Sequence, residues 1–384
     1  MKCFYSVVLS FLCLTSYTLA EETRILMDSY INGQPVKLAF DTGAEAPILF
    51  RQAANRLKLS VIEPPDDVVV EPGKVKFALT EKCKFQFMEG GTESSIQCAV
   101  VDIPSHLKPE FDGMLGWGGI KHMMVEIDPS LRSGNIRETI NFKKSEWKCL
   151  DIRTDLNILV VKTSKEDETQ DCLLIDTGSP KGLTLKKELW QQLVGDSGDS
   201  NTTLFATYTP GVGLVVDKEK WIREINFGAL PFHNIPIKMG MEANPALMKE
   251  GVDGILGMWG LSCYQWVVDG PAGKIYFKPN DLIRIPEKYE YNRLGAVFVP
   301  EDIQTTNALI AHVMKDGPAY RAGIRDGDEL LKIGQLDATK WRTDPAVMPL
   351  SQFWEKPAGT KLDLVLMRDG KKMEITVTLE EIFK

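Results

Sequence analysis

Hydrophobic residues along this chain fall into short runs divided by polar turns, a pattern of strands rather than of long helical stripes. Residues 36–40, 68–70, 75–79, 96–101, 156–161 and 274–277 are β-rich and predict strands. Residues 52–59 and 186–193 predict brief helices. The pattern is mainly β with small helical inserts.

The strand pattern is duplicated. Val36-Lys37-Leu38-Ala39-Phe40 leads into Asp41-Thr42-Gly43, and Cys172-Leu173-Leu174-Ile175 leads into Asp176-Thr177-Gly178. Polar turns precede both runs, Asn32-Gly33-Gln34 in one and Glu166-Asp167-Glu168 in the other, so each triplet ends the second strand of a hairpin. Asp112-Gly113-Met114-Leu115-Gly116-Trp117-Gly118-Gly119-Ile120 aligns with Asp253-Gly254-Ile255-Leu256-Gly257-Met258-Trp259-Gly260-Leu261, with five of nine positions identical. The copies lie 135 residues apart at the triplets and 141 apart at the glycine segments. Two anchors in the same order at nearly one offset indicate two lobes of one unit.

Paired carboxyl groups held close together cannot both ionise cheaply, so one keeps a proton while the other is charged. Such a pair can take a proton from water and give one to a carbonyl under attack. The two copies contribute one aspartate each, Asp41 and Asp176. Glycine after Asp-Thr permits close backbone approach, and the threonine hydroxyls can anchor the two loops.

These residues resemble the pepsin and retroviral aspartic protease superfamily, whose signature is Asp-Thr-Gly followed later by two hydrophobic residues and a glycine. Both lobes carry both parts: Asp41-Thr42-Gly43-Ala44 with Met114-Leu115-Gly116, and Asp176-Thr177-Gly178-Ser179 with Ile255-Leu256-Gly257. The resemblance spans residues 22–280. It implies a catalytic dyad of Asp41 and Asp176, supported by Thr42, Gly43, Thr177, Gly178 and Ser179. It also implies that the Ser179 hydroxyl donates to the outer oxygen of Asp176, whereas Ala44 cannot do so for Asp41; Asp176 is then the more readily ionised member. The lobes are shorter than pepsin lobes, and no flap tyrosine can be placed. Flap candidates are Glu71-Pro72-Gly73-Lys74 and Thr209-Pro210-Gly211-Val212-Gly213.

After Pro286 the pattern changes. Gly317-Pro318-Ala319-Tyr320-Arg321-Ala322-Gly323-Ile324 leads to Asp326-Gly327-Asp328-Glu329-Leu330, a helix is predicted over residues 346–355, and Asp369-Gly370 joins a closing hairpin. This run resembles a PDZ domain of the bacterial, protease-associated type. The resemblance implies that Leu294, Gly295 and Ala296 offer backbone N–H groups to a peptide carboxylate and that residues 296–299 pair with the peptide by strand addition. The expected fold is therefore mainly β: a bilobal aspartic-protease β-barrel pair followed by a small α+β PDZ domain. The boundaries are a signal peptide at 1–20, lobes at 21–145 and 146–285, and the PDZ-like domain at 290–384.

Length and charge refine this picture. A chain of 384 residues suits two or three domains, and a formal net charge of −8 argues against a nucleic-acid partner. Lys2 followed by an uncharged run of 18 residues ending in Thr18-Leu19-Ala20 predicts a cleaved secretory signal. The mature chain is then secreted or periplasmic, with no stable membrane insertion. Five cysteines remain, an odd number. A two-residue turn at Gly90-Gly91 would set Cys83 opposite Cys98 and allow a disulfide. No cofactor or metal is expected. The expected partners are protein or peptide substrates and, at the PDZ-like domain, C-terminal peptide tails. The leading reading is an aspartic endopeptidase; its rival is an inactive peptide-binding adaptor using the PDZ groove.

Overall fold

Asn32 and Gly33 both adopt left-handed backbone (φ 51° and 75°), which closes a two-residue hairpin between strands Leu26–Ile31 and Gln34–Asp41. That turn fixes the register of the strand that ends at Asp41. The computed structural model describes residues 24–64, 77–87, 89–102, 110–128, 133–137, 140–163, 172–179, 182–194, 201–209, 213–240, 247, 249, 251–279, 290–301 and 306–383. The expected signal segment, the Glu71-Pro72-Gly73-Lys74 turn, the strand at 68–70 and the Glu166-Asp167-Glu168 turn lie outside these residues.

In the first lobe the aspartate-bearing strand Gln34–Asp41 runs parallel to a bracing strand, Gly113–Gly116. The brace is antiparallel to a return strand, Ile48–Phe50. The second lobe repeats this arrangement. Its strand Cys172–Ile175, which leads into Asp176, pairs antiparallel with Val160–Lys162 and parallel with the brace Gly254–Leu256, which opposes the return strand Leu183–Leu185. The duplication read from sequence is thus a duplication of topology. The expected strand at 156–161 is shorter, with only Val160–Lys162 in the ladder. The predicted helices are Arg51–Arg56 and Lys187–Val194.

The lobes share structure. Hairpin Met124–Asp128 and Ser133–Arg137, which the sequence boundary gives to the first lobe, pairs with Tyr264–Asp269 in the second lobe's sheet. Trp266, Phe40, Phe232 and Phe277 are fully buried in one continuous core spanning both lobes. The Trp266 indole N–H is satisfied by the Leu261 carbonyl at 3.0 Å, as a buried donor requires.

The expected Cys83–Cys98 register does not form. Cys83 faces Ile96, two residues short of Cys98. The connection is wider than a two-residue turn, and Gln86 Nε2 closes it onto the Gly91 carbonyl at 2.9 Å. Both thiols are free and buried. Burial, reinforced by the nearby Cys83, pushes the Cys98 thiol up to about 12.

The C-terminal domain is a sheet in the order Ala296–Val299, Ile310–Val313, Glu329–Ile333, Lys361–Arg368, Lys371–Thr378. Asp328 is buried and grips the Arg368 fork at 2.6 and 2.7 Å. The expected 346–355 helix is only one turn, Ser351–Trp354; Pro349 disfavours helical backbone in the residue before it.

This domain docks on the second lobe. Val297, Val299 and Met314 pack on Leu204, flanked by Ala206, Leu214 and Val216 of the hairpin formed by Thr202–Thr209 and Gly213–Phe227. Thr203 Oγ1 donates to the Asn292 carbonyl at 2.6 Å, and Asn292 Nδ2 donates to the Leu204 carbonyl at 2.8 Å. The docked hairpin is the one whose turn is the second flap candidate; residues 210–212 of that turn lie outside the described residues. Leu204 is therefore buried by the neighbouring domain. Leu204→Ala is expected to cost about 2 kcal/mol in the full chain and much less in a chain ending at residue 286. Urea denaturation of the four proteins measures the difference; equal costs in both backgrounds would refute the docking.

Candidate active site

The triplets meet where strands Gln34–Asp41 and Cys172–Ile175 end. Thr42 N–H donates to Thr177 Oγ1 at 3.1 Å, and Thr177 N–H donates to Thr42 Oγ1 at 3.1 Å. Each hydroxyl then donates across to the other lobe, Thr42 to the Ile175 carbonyl at 2.6 Å and Thr177 to the Phe40 carbonyl at 2.8 Å. Both threonines are buried, so every one of these groups would be an orphan without its partner.

The interlock sets Asp41 and Asp176 side by side, both with no exposed surface. Gly178 lies against the Asp41 carboxylate so closely that an added Cβ would sit 2.6 Å from its Cγ. Gly43 and Ala44 N–H groups donate to Asp41 Oδ1 at 3.0 and 3.1 Å, and Gly178 N–H donates to Asp176 Oδ1 at 2.9 Å. Asp41 Oδ2 and Asp176 Oδ2 have no hydrogen-bond partner among the described residues.

The glycine segments explain themselves by contact. A Cβ on Gly116 would strike the carbonyl oxygens of Ala46 and Ala44 at 2.5 and 2.7 Å, and one on Gly113 would strike that of Ile48 at 2.0 Å. The brace thus lies directly on the backbone that follows Asp41. Trp117 N–H donates to the Ala44 carbonyl at 2.9 Å; in the second lobe, Met258 N–H donates to the Ser179 carbonyl at 2.7 Å.

The two carboxyls differ. Burial, then the neighbouring Asp176, hold Asp41 well above the ordinary carboxylate range. Burial raises Asp176 to about 6, opposed by the Gly178 N–H, Arg24, Asp41 and the Ser179 N–H. Both carboxyls are thus held above the ordinary range, and the repulsion from its neighbour raises Asp41 further. The hydroxyl bond anticipated from sequence is corrected: the outer oxygen Asp176 Oδ2 receives no bond from the Ser179 hydroxyl, and Ser179 acts through its backbone N–H.

In the expected peptide loop of the C-terminal domain, two of the N–H groups have partners within the fold. Leu294 and Gly295 N–H groups already donate to Asn292 Oδ1, at 2.9 and 3.2 Å. Asn292 Nδ2 reaches the Ala296 carbonyl at 2.8 Å. All of Ala296–Val299 is buried, and the Phe298 and Trp354 rings lie 6.2 Å apart between strand and helix. A carboxylate at this loop would have to displace the Asn292 side chain.

Two residues escaped the sequence reading. Asn292 carries no signal in the sequence. Arg24 does: counting back from the Asn32-Gly33 turn puts it across from Asp41.

A family model described as aspartyl protease matches residues 27–118, the first lobe. A PDZ domain model matches residues 282–367. One solved structure, "EIAV protease complexed with the inhibitor HBY-793", shares 26% identity over 25% of this chain and 83% of that chain, with a TM-score of 0.19. The chain joins an aspartyl protease domain to a C-terminal PDZ domain.

Proposed function

We propose that the chain is an aspartic endopeptidase in which Asp41 and Asp176 act as one dyad. The observation that carries this reading is the reciprocal Thr42–Thr177 bonding, which brings two buried carboxyls from two lobes together. Ionised Asp176 takes a proton from a water as its oxygen attacks the peptide carbonyl carbon. Asp41 gives its proton to the carbonyl oxygen. The tetrahedral intermediate then collapses: the C–N bond breaks, the amine leaves with the proton that Asp176 took from water, and the carbonyl re-forms as its hydroxyl proton returns to Asp41. The uncharged N-terminal run supports export, so we place the activity outside the cytoplasm.

The rival reading, an inactive adaptor, is separated by mutation. Asp41→Asn and Asp176→Asn each are expected to reduce cleavage of a denatured protein by at least about 10³-fold with unchanged fold, because the carboxyls work as a unit. Mass spectrometry of fragments measures this, and substantial turnover by either folded variant rejects the dyad.

The active form carries one proton. The acid limb of kcat/KM reports protonation of the ionised member, so it is expected near pH 6, where Asp176 titrates. The alkaline limb lies above it, where Asp41 loses its proton. Activity is therefore greatest toward neutrality. A maximum below pH 4 would contradict this.

For the PDZ domain we propose peptide recognition in competition with Asn292. Asn292→Ala frees the Leu294 and Gly295 N–H groups, and affinity for a peptide ending in a free carboxylate is expected to rise roughly tenfold, the worth of a charge-assisted bond. Fluorescence polarisation with the free-acid and amidated peptides is the measurement; no binding by the folded variant rejects this role.

A further inference from the structure

The register of the first hairpin extends past its last ladder pair. Leu26 faces Ala39, and Phe40 N–H donates to the Ile25 carbonyl at 2.8 Å. The next cross-strand pair is Arg24 with Asp41. Residues opposite one another in an antiparallel pair project to the same face at about 5 Å between Cβ atoms. Arg24 is 8% exposed, its guanidinium lies over the Phe111 ring at 5.4 Å, and its Nη1 has no hydrogen-bond partner. Among the described residues, three of the four buried polar side-chain atoms without a partner are Arg24 Nη1, Asp41 Oδ2 and Asp176 Oδ2.

The second lobe shows what a merely structural residue looks like at this position. Ile175 N–H donates to the Leu159 carbonyl at 2.8 Å, and Val160 faces Leu174, so the residue across from Asp176 is Ile158. It is fully buried. The lobes are alike in topology at this point and unlike in charge.

A buried guanidinium is expensive unless a negative charge compensates it. Among the described residues, Asp112 pairs with Arg56 at 2.7 Å and Glu45 pairs with Lys249, while Glu110 is exposed. Among the described residues, the charged groups acting on Asp41 are Asp176 and Arg24, and those acting on Asp176 are Arg24 and Asp41.

We propose that Arg24 is a positioning residue of the dyad: its buried guanidinium is the counter-charge that holds one of the two aspartates ionised. Dyad and arginine then form a neutral unit when the dyad carries a single negative charge, which is the form that activates water. The proposal rests on the reading of Asp41 and Asp176 as a working pair.

Two measurements on the full chain test it, using Arg24→Gln, Arg24→Lys and Asp176→Asn. In the pH profile of kcat/KM, Arg24→Gln is expected to move the acid limb upward by about one pH unit, the usual effect of a nearby cation on a carboxylate, and Arg24→Lys is expected to restore most of the shift. The second readout needs no activity. Both aspartates titrate higher in the folded chain than in the unfolded one, so their contribution to stability is complete below about pH 4 and is lost as pH rises through their folded values. Arg24 limits that loss. The melting temperature of wild type minus that of Arg24→Gln is therefore expected to grow between pH 4 and 7, and to grow much less when both carry Asp176→Asn. A pH-independent difference, or an acid limb that does not move, overturns the proposal. If the chain cleaves nothing while the melting difference still grows, the counter-charge stands and the endopeptidase reading falls.

Discussion

Everything at the centre of this protein depends on four hydrogen bonds between Thr42 and Thr177 and the backbones they cross. Each is worth about 1 kcal/mol net, yet each buried group left without its partner costs about 1–3 kcal/mol. The bonds run both ways between the lobes, so neither triplet can shift without stranding donors in both. This is what lets two carboxyl groups remain neighbours despite the repulsion that arises when both ionise.

Holding the carboxyls together demands space as well as bonds. Gly178 lies against the Asp41 carboxylate, and Gly113 and Gly116 lie against the backbone after Asp41, at separations that admit no Cβ. The small residues are thus a consequence of the interlock. The backbone N–H groups of Gly43, Ala44, Gly178 and Ser179 then favour the charged form of each aspartate. Burial opposes them and wins, leaving both groups high and the pair unequal.

The C-terminal domain is bound to the same machinery by its edge. The strand expected to receive a peptide instead buries Val297 and Val299 on the second lobe's long hairpin, and Asn292 ties its loop to that hairpin. The Leu294 and Gly295 N–H groups of this loop are satisfied by Asn292, so the loop needs no ligand to meet its buried donors.

Much of this was legible in the residues themselves. The duplicated Asp-Thr-Gly and glycine segments determined two lobes and which two aspartates could meet, because close approach needs those residue types at those places. The Asn32-Gly33 turn determined the first hairpin's register, since only left-handed residues close a two-residue loop, and that register alone sets Arg24 across from Asp41. Other features were settled only by tertiary structure. Cys83 misses Cys98 by two residues because the loop between them is wider than the Gly90-Gly91 pair suggests. The hydroxyl of Ser179 leaves Asp176 to backbone donors, and the Leu294 and Gly295 N–H groups turn to Asn292. Each of these depends on which of several polar partners lies nearest once distant segments pack. Local pattern records what a residue can bond, and only packing decides what it does.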